Sequence, residues 1–226
     1  MNAAVVIPWR PGCPWREQSL EWVTERLETT YGWPIVLGHC RDDLPFNRAE
    51  AILDGARRTD AEVIVVHDGD VWLDGDLEWT VSMAGRGHWA VPHYHLCRLT
   101  EEASGRVLGG EPLSPRLPLA QAPYRGNPTG TLVALHRDLL FDVPPDVRFV
   151  GWGQEDEAWW CALDVMVGRC HRGAADLYHL WHPPQKRMDR VRGNPEGVAL
   201  MKRYGRAALN GREAMRDLIA EGVALW

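Results

Sequence analysis

Carboxylates occur in this sequence at a spacing that could bind a divalent cation. Asp68 and Asp70 follow the apolar run VIVV at 63–66 and are separated by one glycine. In an extended segment, residues two apart point the same way, and open α/β sheets bind ligands beyond the carboxyl ends of their strands. Two such carboxylates can hold a hard cation that bridges a diphosphate. A solvated Asp-Gly turn is the alternative interpretation.

Two histidines later in the chain could complete a metal site. His179 and His182 lie three apart in YHLWHPP, at 178–184. If a strand ends between them, either imidazole could turn into the crevice and bind the metal. The alternative is one buried, hydrogen-bonded histidine and one exposed histidine.

A third group of charges has an unusual setting among glycines and tryptophans. In GWGQEDE, at 151–157, three consecutive carboxylates follow two glycines and Trp152. The glycines allow the backbone to turn sharply beside a ligand, and Trp152 could form a flat apolar wall for a sugar ring. Acids in a first helical turn are stabilised by the helix dipole, so helix capping is the alternative interpretation. Capping does not explain three acids, and an ionised carboxylate here could act as a general base.

The elements that must position these side chains are clearest in the amino-terminal third. Apolar runs at 3–9, 33–38 and 61–72 predict three buried strands. Helical spacing of apolar residues at 14–32 and 44–58 predicts the helices between them. Such alternation favours a parallel α/β sheet with right-handed crossovers.

The pattern beyond residue 74 is less regular. The segment from about Ser104 to Thr129 is rich in glycine and proline and is predicted to be a long surface loop. The wider stretch 92–128 is a candidate lid or acceptor loop, since long irregular segments in compact domains tend to be functional. The remaining predicted elements are a helix at 74–84, a strand at 88–94, a strand and helical turn at 130–140, a helix to about 168, a strand at 174–184 and a helical tail at 195–225.

Composition limits the class of protein. The 226 residues suit one sizeable domain, and the net charge of −6 does not indicate nucleic-acid binding. Five cysteines without a CxxC pair favour reduced thiols in a cytoplasmic protein. We find neither a leader nor an apolar run long enough for a membrane anchor.

Two stretches together resemble a known family. FNRAEAILDGARRTDAEVIVVHDGDVW at 46–72 and GWGQEDEAW at 151–159 resemble the metal-dependent GT-A glycosyltransferases. The similarity is greatest to the β-1,4-galactosyltransferase group and related bacterial family 2 enzymes, in order and spacing over residues 5–182. It implies a single α/β GT-A domain, with a mostly parallel Rossmann-like sheet flanked by helices and a helical tail.

The resemblance implies contacts with a nucleotide-sugar donor. Arg10 would lie near phosphate or base, Arg48 near phosphate or ribose, and Asp68 on the ribose side. Gly130 and Thr131 would support the donor sugar. The complete implied set is Pro8, Trp9, Arg10, Phe46, Arg48, Asp68, Gly130, Thr131 and Trp152, of which Trp152 would bound the acceptor sugar.

The resemblance also implies a catalytic and a metal-binding set. Asp70 would ligate Mn²⁺ or Mg²⁺ together with a histidine, His182 in preference to His179. Glu155 would hold donor-sugar hydroxyls, and Asp156 would be the catalytic base. One base used once gives inversion at the anomeric carbon. Gln154 stands where the family motif GWGGED has its second glycine, so the sugar is left open.

We therefore expect an inverting transfer of a sugar from a nucleotide-diphosphate sugar, expected to be a UDP-sugar, to an acceptor hydroxyl. The acceptor stays open among a saccharide, a protein, a small metabolite and a modified DNA base. A sugar-nucleotidyltransferase is one alternative, although PWRPGCPWR at 8–16 is a poor match to its glycine-rich loop. A non-catalytic sugar- or nucleotide-binding module is another.

The expected division of the chain follows the same resemblance. Residues 1–185 would form the catalytic domain, with a nucleotide-binding half at about 1–95 and an acceptor and catalytic half at about 96–185. Residues 186–226 would form a helical extension packed on it. The sequence does not indicate the oligomeric state.

Overall fold

A computed structural model of the protein describes residues 2–151, 153–183 and 195–225. Trp152 and residues 186–194 of the expected extension therefore lie outside the described residues. Within the described ranges, eight strands form one sheet and are accompanied by eight helices, and the α/β class is confirmed.

The amino-terminal strands form a parallel ladder in the predicted places. β1 (Ala3–Pro8) lies between β2 (Ile35–Gly38) and β3 (Val63–His67) and is parallel to both. All residues of β1 and β3 are buried. Burial on both faces explains why these strands are continuous apolar runs instead of alternating ones. Helices α1 (Pro14–Tyr31) and α2 (Arg48–Arg57) provide the crossovers.

Close contact between α2 and the sheet depends on two glycines. A Cβ atom at position 38 would lie 1.9 Å from the carbonyl oxygen of Ala51, and one at Gly55 would lie 2.5 Å from a methyl of Val6. Asn47 caps α2, with its side chain accepting a hydrogen bond from the amide of Glu50 at 3.1 Å. The cap sets Arg48 as the first residue of α2, and the two glycines allow the helix to lie close to the sheet.

The predicted single strand at 61–72 is wrong in one respect. It is two strands, β3 and β4 (Val71–Asp74), separated by a turn at 68–70. β4 leaves β3 to pair antiparallel with β8 (His171–His179). Asp68 and Asp70 consequently lie in a turn, and the alternation rule for extended segments does not decide where their side chains point.

The second half of the sheet is mixed. The strand order is β2-β1-β3-β7-β5-β8-β4, where β7 is Leu132–His136 and β5 is Trp89–Arg98. β7 is antiparallel to both of its neighbours, while β5 and β8 are parallel. The short strand β6 (Tyr124–Arg125) pairs with β5. The parallel half thus ends at β3, directly before the Asp68–Asp70 turn.

The predicted long loop is wrong at its beginning. Residues Glu101–Leu108 form helix α4, which Thr100 caps by accepting a hydrogen bond from the amide of Ala103 at 3.2 Å. Ala103 and Val107 are fully buried on its inner face. The apolar spacing of this short helix outweighs the glycine inside it, because burial of one face stabilises a helix more than propensity does.

The remaining helices surround the carboxyl half and the tail. They are α3 (Glu78–Gly85), α5 (Arg137–Asp142), α6 (Glu155–Met166), α7 (Pro195–Asn210) and α8 (Arg212–Val223). Gly211, with φ 93°, separates the last two. Of the helices described, none combines the length and apolar character needed to cross a bilayer. All five cysteines are free thiols.

The helical tail is joined to the domain by a buried polar cluster. The hydroxyl of Tyr204 donates to Asp146 Oδ2 at 2.8 Å, and Arg148 Nη2 donates to the same oxygen at 2.7 Å. Arg148 also donates to the carbonyl of Leu218 and to Glu221, both at 2.9 Å. These contacts fix α7 and α8 against the segment that leads into GWGQED.

Candidate active site at the carboxyl ends of the parallel strands

The structure brings Asp70, His179 and His182 together. One ligand atom from each lies within 4.8 Å of the others, and no other such group occurs among the described residues. His182 Nε2 lies 3.4 Å and His179 Nε2 3.8 Å from the Asp70 carboxylate. A backbone hydrogen bond of 2.8 Å from Leu180 to the carbonyl of Asp70 holds the two segments together.

The end of β8 explains why both histidines face the same carboxylate. His179 is the last residue of the strand and His182 follows after it, which is the arrangement on which the sequence prediction depended. His182 Nδ1 lies 3.0 Å from the carbonyl oxygen of Pro183 and so donates to it. Nε2 is then the nitrogen with a free lone pair.

Burial keeps the imidazoles in the form that a metal requires. It lowers the pKa of His179 to about 4, and it also lowers the pKa of His182. Both rings are therefore neutral at pH 7. A metal ligand must be unprotonated, so no proton has to be removed from either ring.

The first aspartate of the turn has a different partner. Arg48 donates from Nη2 and Nε to Asp68 Oδ1, at 3.0 and 3.2 Å, and from Nη1 to the carbonyl of Thr129 at 3.0 Å. The pKa of Asp68 is raised to about 6, because burial and the nearby charge of Asp70 together outweigh the opposing effect of Arg48. Arg48 is the group that keeps this carboxylate ionised at neutral pH.

Backbone contacts fix the turn on both sides. The amide of Asp68 donates to the carbonyl of Thr131 at 2.9 Å. His67 Nδ1 donates to the carbonyl of Asp68 at 2.7 Å. Burial lowers the pKa of His67 to about 4, so this imidazole is neutral and its proton stays on the donating nitrogen.

The acidic residues 155–157 form the first turn of α6, and the charge of Arg48 acts on two of them, Glu155 and Asp156. Glu155 Oε2 accepts a hydrogen bond from the amide of Gly153 at 2.9 Å. The pKa of Glu155 is raised to about 7, because burial and the charge of Asp156 together outweigh the opposing charge of Arg48. Glu155 is therefore protonated in a large fraction of molecules at neutral pH, in which state it can donate a hydrogen bond.

Asp156 is held beside the strand that was expected to support the donor sugar. Its Oδ1 accepts from the amide of Glu157 at 2.9 Å, and the hydroxyl of Thr129 donates to its carbonyl at 2.6 Å. A Cβ atom at Gly130 would lie 3.0 Å from Asp156 Oδ2. Glycine at this position therefore leaves space directly in front of that carboxylate oxygen.

The remaining predicted donor residues line the same edge of the sheet. Pro8 ends β1, and the amide of Trp9 donates to the carbonyl of Gly38 at 2.8 Å. Thr131 precedes β7, and its buried hydroxyl has no hydrogen-bond partner within the described ranges. Trp152, the predicted acceptor wall, lies outside the described residues.

Arg10, which was expected near phosphate or base, contacts the loop before α2. It donates from Nη1 to the carbonyl of Leu44 at 2.8 Å, and from Nη2 to Cys40 Sγ at 3.1 Å and to the carbonyl of Arg41. Its guanidinium carbon lies 5.7 Å from the ring centre of Phe46. In this structure Arg10 organises the loop before α2.

That loop also contacts the GWGQED segment. The amide of Gly151 donates to the carbonyl of Phe46 at 3.1 Å. Asn47 Nδ2, which is buried, donates to the carbonyl of Val147 at 2.8 Å. FNRA and GWGQED, about a hundred residues apart in sequence, are thus adjacent in space.

Solved structures identify the fold. The catalytic domain of Drosophila β1,4-galactosyltransferase 7, in complex with xylobiose, matches this chain with a TM-score of 0.51 at 17% identity, over 89% of this chain and 79% of that chain. The chain has the GT-A fold. No protein-family model and no curated protein sequence matches it.

Two further structures show similarities of lower score to this GT-A chain. One is a mutant of the same Drosophila enzyme in complex with manganese, UDP-Gal and xylobiose, with a TM-score of 0.46 at 16% identity over 86% of this chain and 75% of that chain. The other is glucosyl-3-phosphoglycerate synthase from Mycobacterium tuberculosis with Mn²⁺, UDP and glucosyl-3-phosphoglycerate, at 0.45 and 16%, over 92% and 78%. The fold assignment therefore depends on the first comparison, with a TM-score of 0.51, and an identity of 17% establishes the fold and not the reaction.

The GT-A domain also has two charged residues in the site that the sequence did not indicate. Arg16, in the first turn of α1, contacts the candidate metal ligands, with Nε 3.5 Å from Asp70 Oδ2. Arg98, at the end of β5, lies close enough for its charge to act on Asp70 and both histidines. The doublet WR, repeated at 9–10 and 15–16, was the only available signal for Arg16.

Proposed function

We propose that the protein is a metal-dependent glycosyltransferase that transfers a sugar from a nucleotide-diphosphate sugar, a UDP-sugar in the first instance, to an acceptor hydroxyl. One observation carries the proposal. Asp70, His179 and His182 offer ligand atoms within 4.8 Å of one another at the carboxyl edge of the parallel strands of a GT-A fold. This edge is where open α/β sheets bind nucleotides.

The donor set fits a divalent transition metal. It consists of one carboxylate and two neutral imidazoles, and two nitrogen ligands favour Mn²⁺ over Mg²⁺, which prefers oxygen. When bound, the cation would stabilise the charge that develops on the departing nucleoside diphosphate.

The donor would lie between the three candidate metal ligands and α6. Asp68 is held by Arg48 on the ribose side, with Pro8, Trp9 and the ring of Phe46 lining the nucleotide pocket. We propose that Arg10 supports this pocket by fixing residues 40–44 and does not bind phosphate, since three of its contacts are to that loop.

The chain's own residues would move one proton. Asp156 Oδ2 faces the space left by Gly130 and would accept the proton of the acceptor hydroxyl, which attacks the anomeric carbon opposite the leaving group. Glu155, part-protonated near pH 7, would donate a hydrogen bond to the donor sugar. A single displacement with one base inverts the anomeric carbon.

A donor screen tests the proposal. The purified protein is incubated with UDP-, GDP- and TDP-sugars, with Mn²⁺ or with EDTA, and the products are separated. We expect Mn²⁺-dependent release of a nucleoside diphosphate, strongest with a UDP-sugar and lost in Asp70→Ala. In a parallel incubation with a sugar 1-phosphate and UTP, release of pyrophosphate would identify a nucleotidyltransferase instead. Binding without turnover of any donor would indicate a binding module.

A further inference from the structure

Arg16 lies among the proposed metal ligands. It projects from the first turn of α1, and its Nη2 lies 3.2 Å from His182 Nε2 while its Nε lies 3.5 Å from Asp70 Oδ2. That Nε is buried and has no hydrogen-bond partner within the described ranges. Few arginines are placed against a metal site, because a guanidinium and a divalent cation repel each other.

The contact with His182 uses the atom that a metal needs. Since His182 Nδ1 donates to the carbonyl of Pro183, Nε2 is the ring nitrogen with a free lone pair. Arg16 donates to that lone pair. A metal cannot bind His182 through Nε2 until the guanidinium moves away, so the two cations compete for one atom.

Arg16 differs in this respect from the other arginines of the site. Arg48 is held by Asp68 and by the carbonyl of Thr129. Arg98 Nε donates to the hydroxyl of Tyr124 at 2.9 Å. The contacts described for Arg16 are with the prospective metal ligands themselves, so the loss of those contacts on metal binding would free it for another anion.

We propose that Arg16 is an exchangeable counter-cation, which occupies the metal site in the absence of donor and moves onto the donor's diphosphate when metal and nucleotide bind together. The inference rests on the proposed function, because it takes its ligands from that site. A planar guanidinium binds phosphate oxygens through two donors, and the incoming diphosphate supplies the negative charge that replaces Asp70. Arg16 therefore lowers the affinity for metal alone and raises the affinity for metal together with diphosphate.

Such an exchange makes metal and nucleotide binding cooperative. Metal displaces Arg16 from Asp70 and His182, and the diphosphate gives the displaced guanidinium a new anionic partner. Each ligand therefore increases the affinity for the other, by the same factor in both directions. Replacement of Arg16 by an uncharged residue should remove the coupling. It should strengthen the binding of metal alone and weaken the binding of nucleotide in the presence of metal, two changes of opposite sign.

Calorimetry tests the inference on the intact protein, with Mn²⁺ alone and with UDP at saturating Mn²⁺. In Arg16→Met we expect Mn²⁺ alone to bind about tenfold more tightly and UDP about tenfold more weakly, roughly 1.4 kcal/mol in each direction. Arg16→Lys keeps the charge but lacks the planar guanidinium with two donors. Its Mn²⁺ affinity should therefore return closer to the wild-type value than its UDP affinity does.

Arg26→Met provides the matched control. Arg26 is on the same helix, with its guanidinium 3.5 Å from the ring centre of Trp22 and away from the cluster, so both affinities should equal those of the wild type. Circular dichroism confirms that each variant is folded.

The outcomes separate the inference from the function. Equal Mn²⁺ affinity in Arg16→Met and the wild type, or weakening of both ligands, would overturn the exchange. Absence of Mn²⁺ binding in every variant would overturn the exchange and the metal site together. Tighter Mn²⁺ binding and weaker UDP binding in Arg16→Met, without turnover of any donor, would support the exchange and contradict only the transferase reaction.

Discussion

Arg48 Nη2 donates to Asp68 Oδ1 at 3.0 Å, and the charge of the same guanidinium acts on Glu155 and Asp156. Arg48 therefore joins the turn that contains Asp68 and Asp70 to the acidic start of α6. It is the residue through which the two halves of the candidate site are electrostatically connected.

Removal of Arg48 should destabilise the protein strongly. Arg48→Met leaves Asp68, whose side chain is 24% exposed, without its cationic partner. Breaking one side of a fully buried pair costs about 3–5 kcal/mol, so we expect a loss at or below the lower end of that range. Urea unfolding at pH 7.5 measures the loss. Asp68→Asn should cost less, and the double variant less than the sum of the two single ones. Additive losses would show that the pair is not coupled.

Glu155 should make stability depend on pH. Its pKa in the folded protein, about 7, is above its ordinary value of 4.5, so the folded state binds the proton more tightly than the unfolded state. This contribution to stability is complete below about pH 4.5 and is lost as the pH rises to 7, by up to about 3 kcal/mol. Glu155→Gln removes it.

Urea unfolding of wild type and Glu155→Gln at pH 5 and pH 8 checks this sign. We expect the variant to gain stability relative to the wild type by roughly 2–3 kcal/mol between the two pH values. A constant difference would mean that Glu155 ionises normally. Glu157→Gln, one residue further along the same helix, is the control.

Metal should stabilise the folded protein through its three ligands. At a hundredfold excess over its dissociation constant, a ligand adds about 2.7 kcal/mol, which raises the melting temperature by about 5–10 °C in a chain of this size. We expect this increase with Mn²⁺, a smaller one with Mg²⁺, and reversal by EDTA. His179→Ala and His182→Ala should both abolish it. A full response in His179→Ala would remove that histidine from the site.

The hydroxyl of Tyr204 should stabilise the attachment of the tail. Tyr204→Phe removes one of the donors to Asp146 Oδ2 and leaves Arg148 as the other, so we expect the loss of one hydrogen bond, about 0.5–1.5 kcal/mol. Thermal unfolding measures it, and Tyr94→Phe, at an exposed tyrosine, should have no effect. Equal stability of both variants would contradict a structural role for the Tyr204–Asp146 contact.

The sequence predicted those parts of the fold and site that depend on local pattern. Continuous apolar runs located β1, β2 and β3, and the residues around Asp70, Asp156 and His182 were recognisable by type and spacing. The split between β3 and β4 was not predictable, since β4 forms through pairing with β8, a hundred residues later. Helix α4 was not predicted because it contains Gly105, a residue that disfavours helices. Burial of one face stabilises α4 in spite of this glycine. Arg16 gave almost no signal, because its role depends on how α1 lies against the crevice.

We propose that Asp156 removes the acceptor proton, while other residues of the site bind metal and nucleotide. Asp156→Asn keeps the size and the first-turn geometry of the side chain but cannot act as a base. Mn²⁺-dependent UDP affinity and sugar transfer are the two quantities to measure in one preparation. We predict wild-type UDP affinity with transfer reduced by about a hundredfold to ten-thousandfold. Transfer at the wild-type rate would show that Asp156 is not the base.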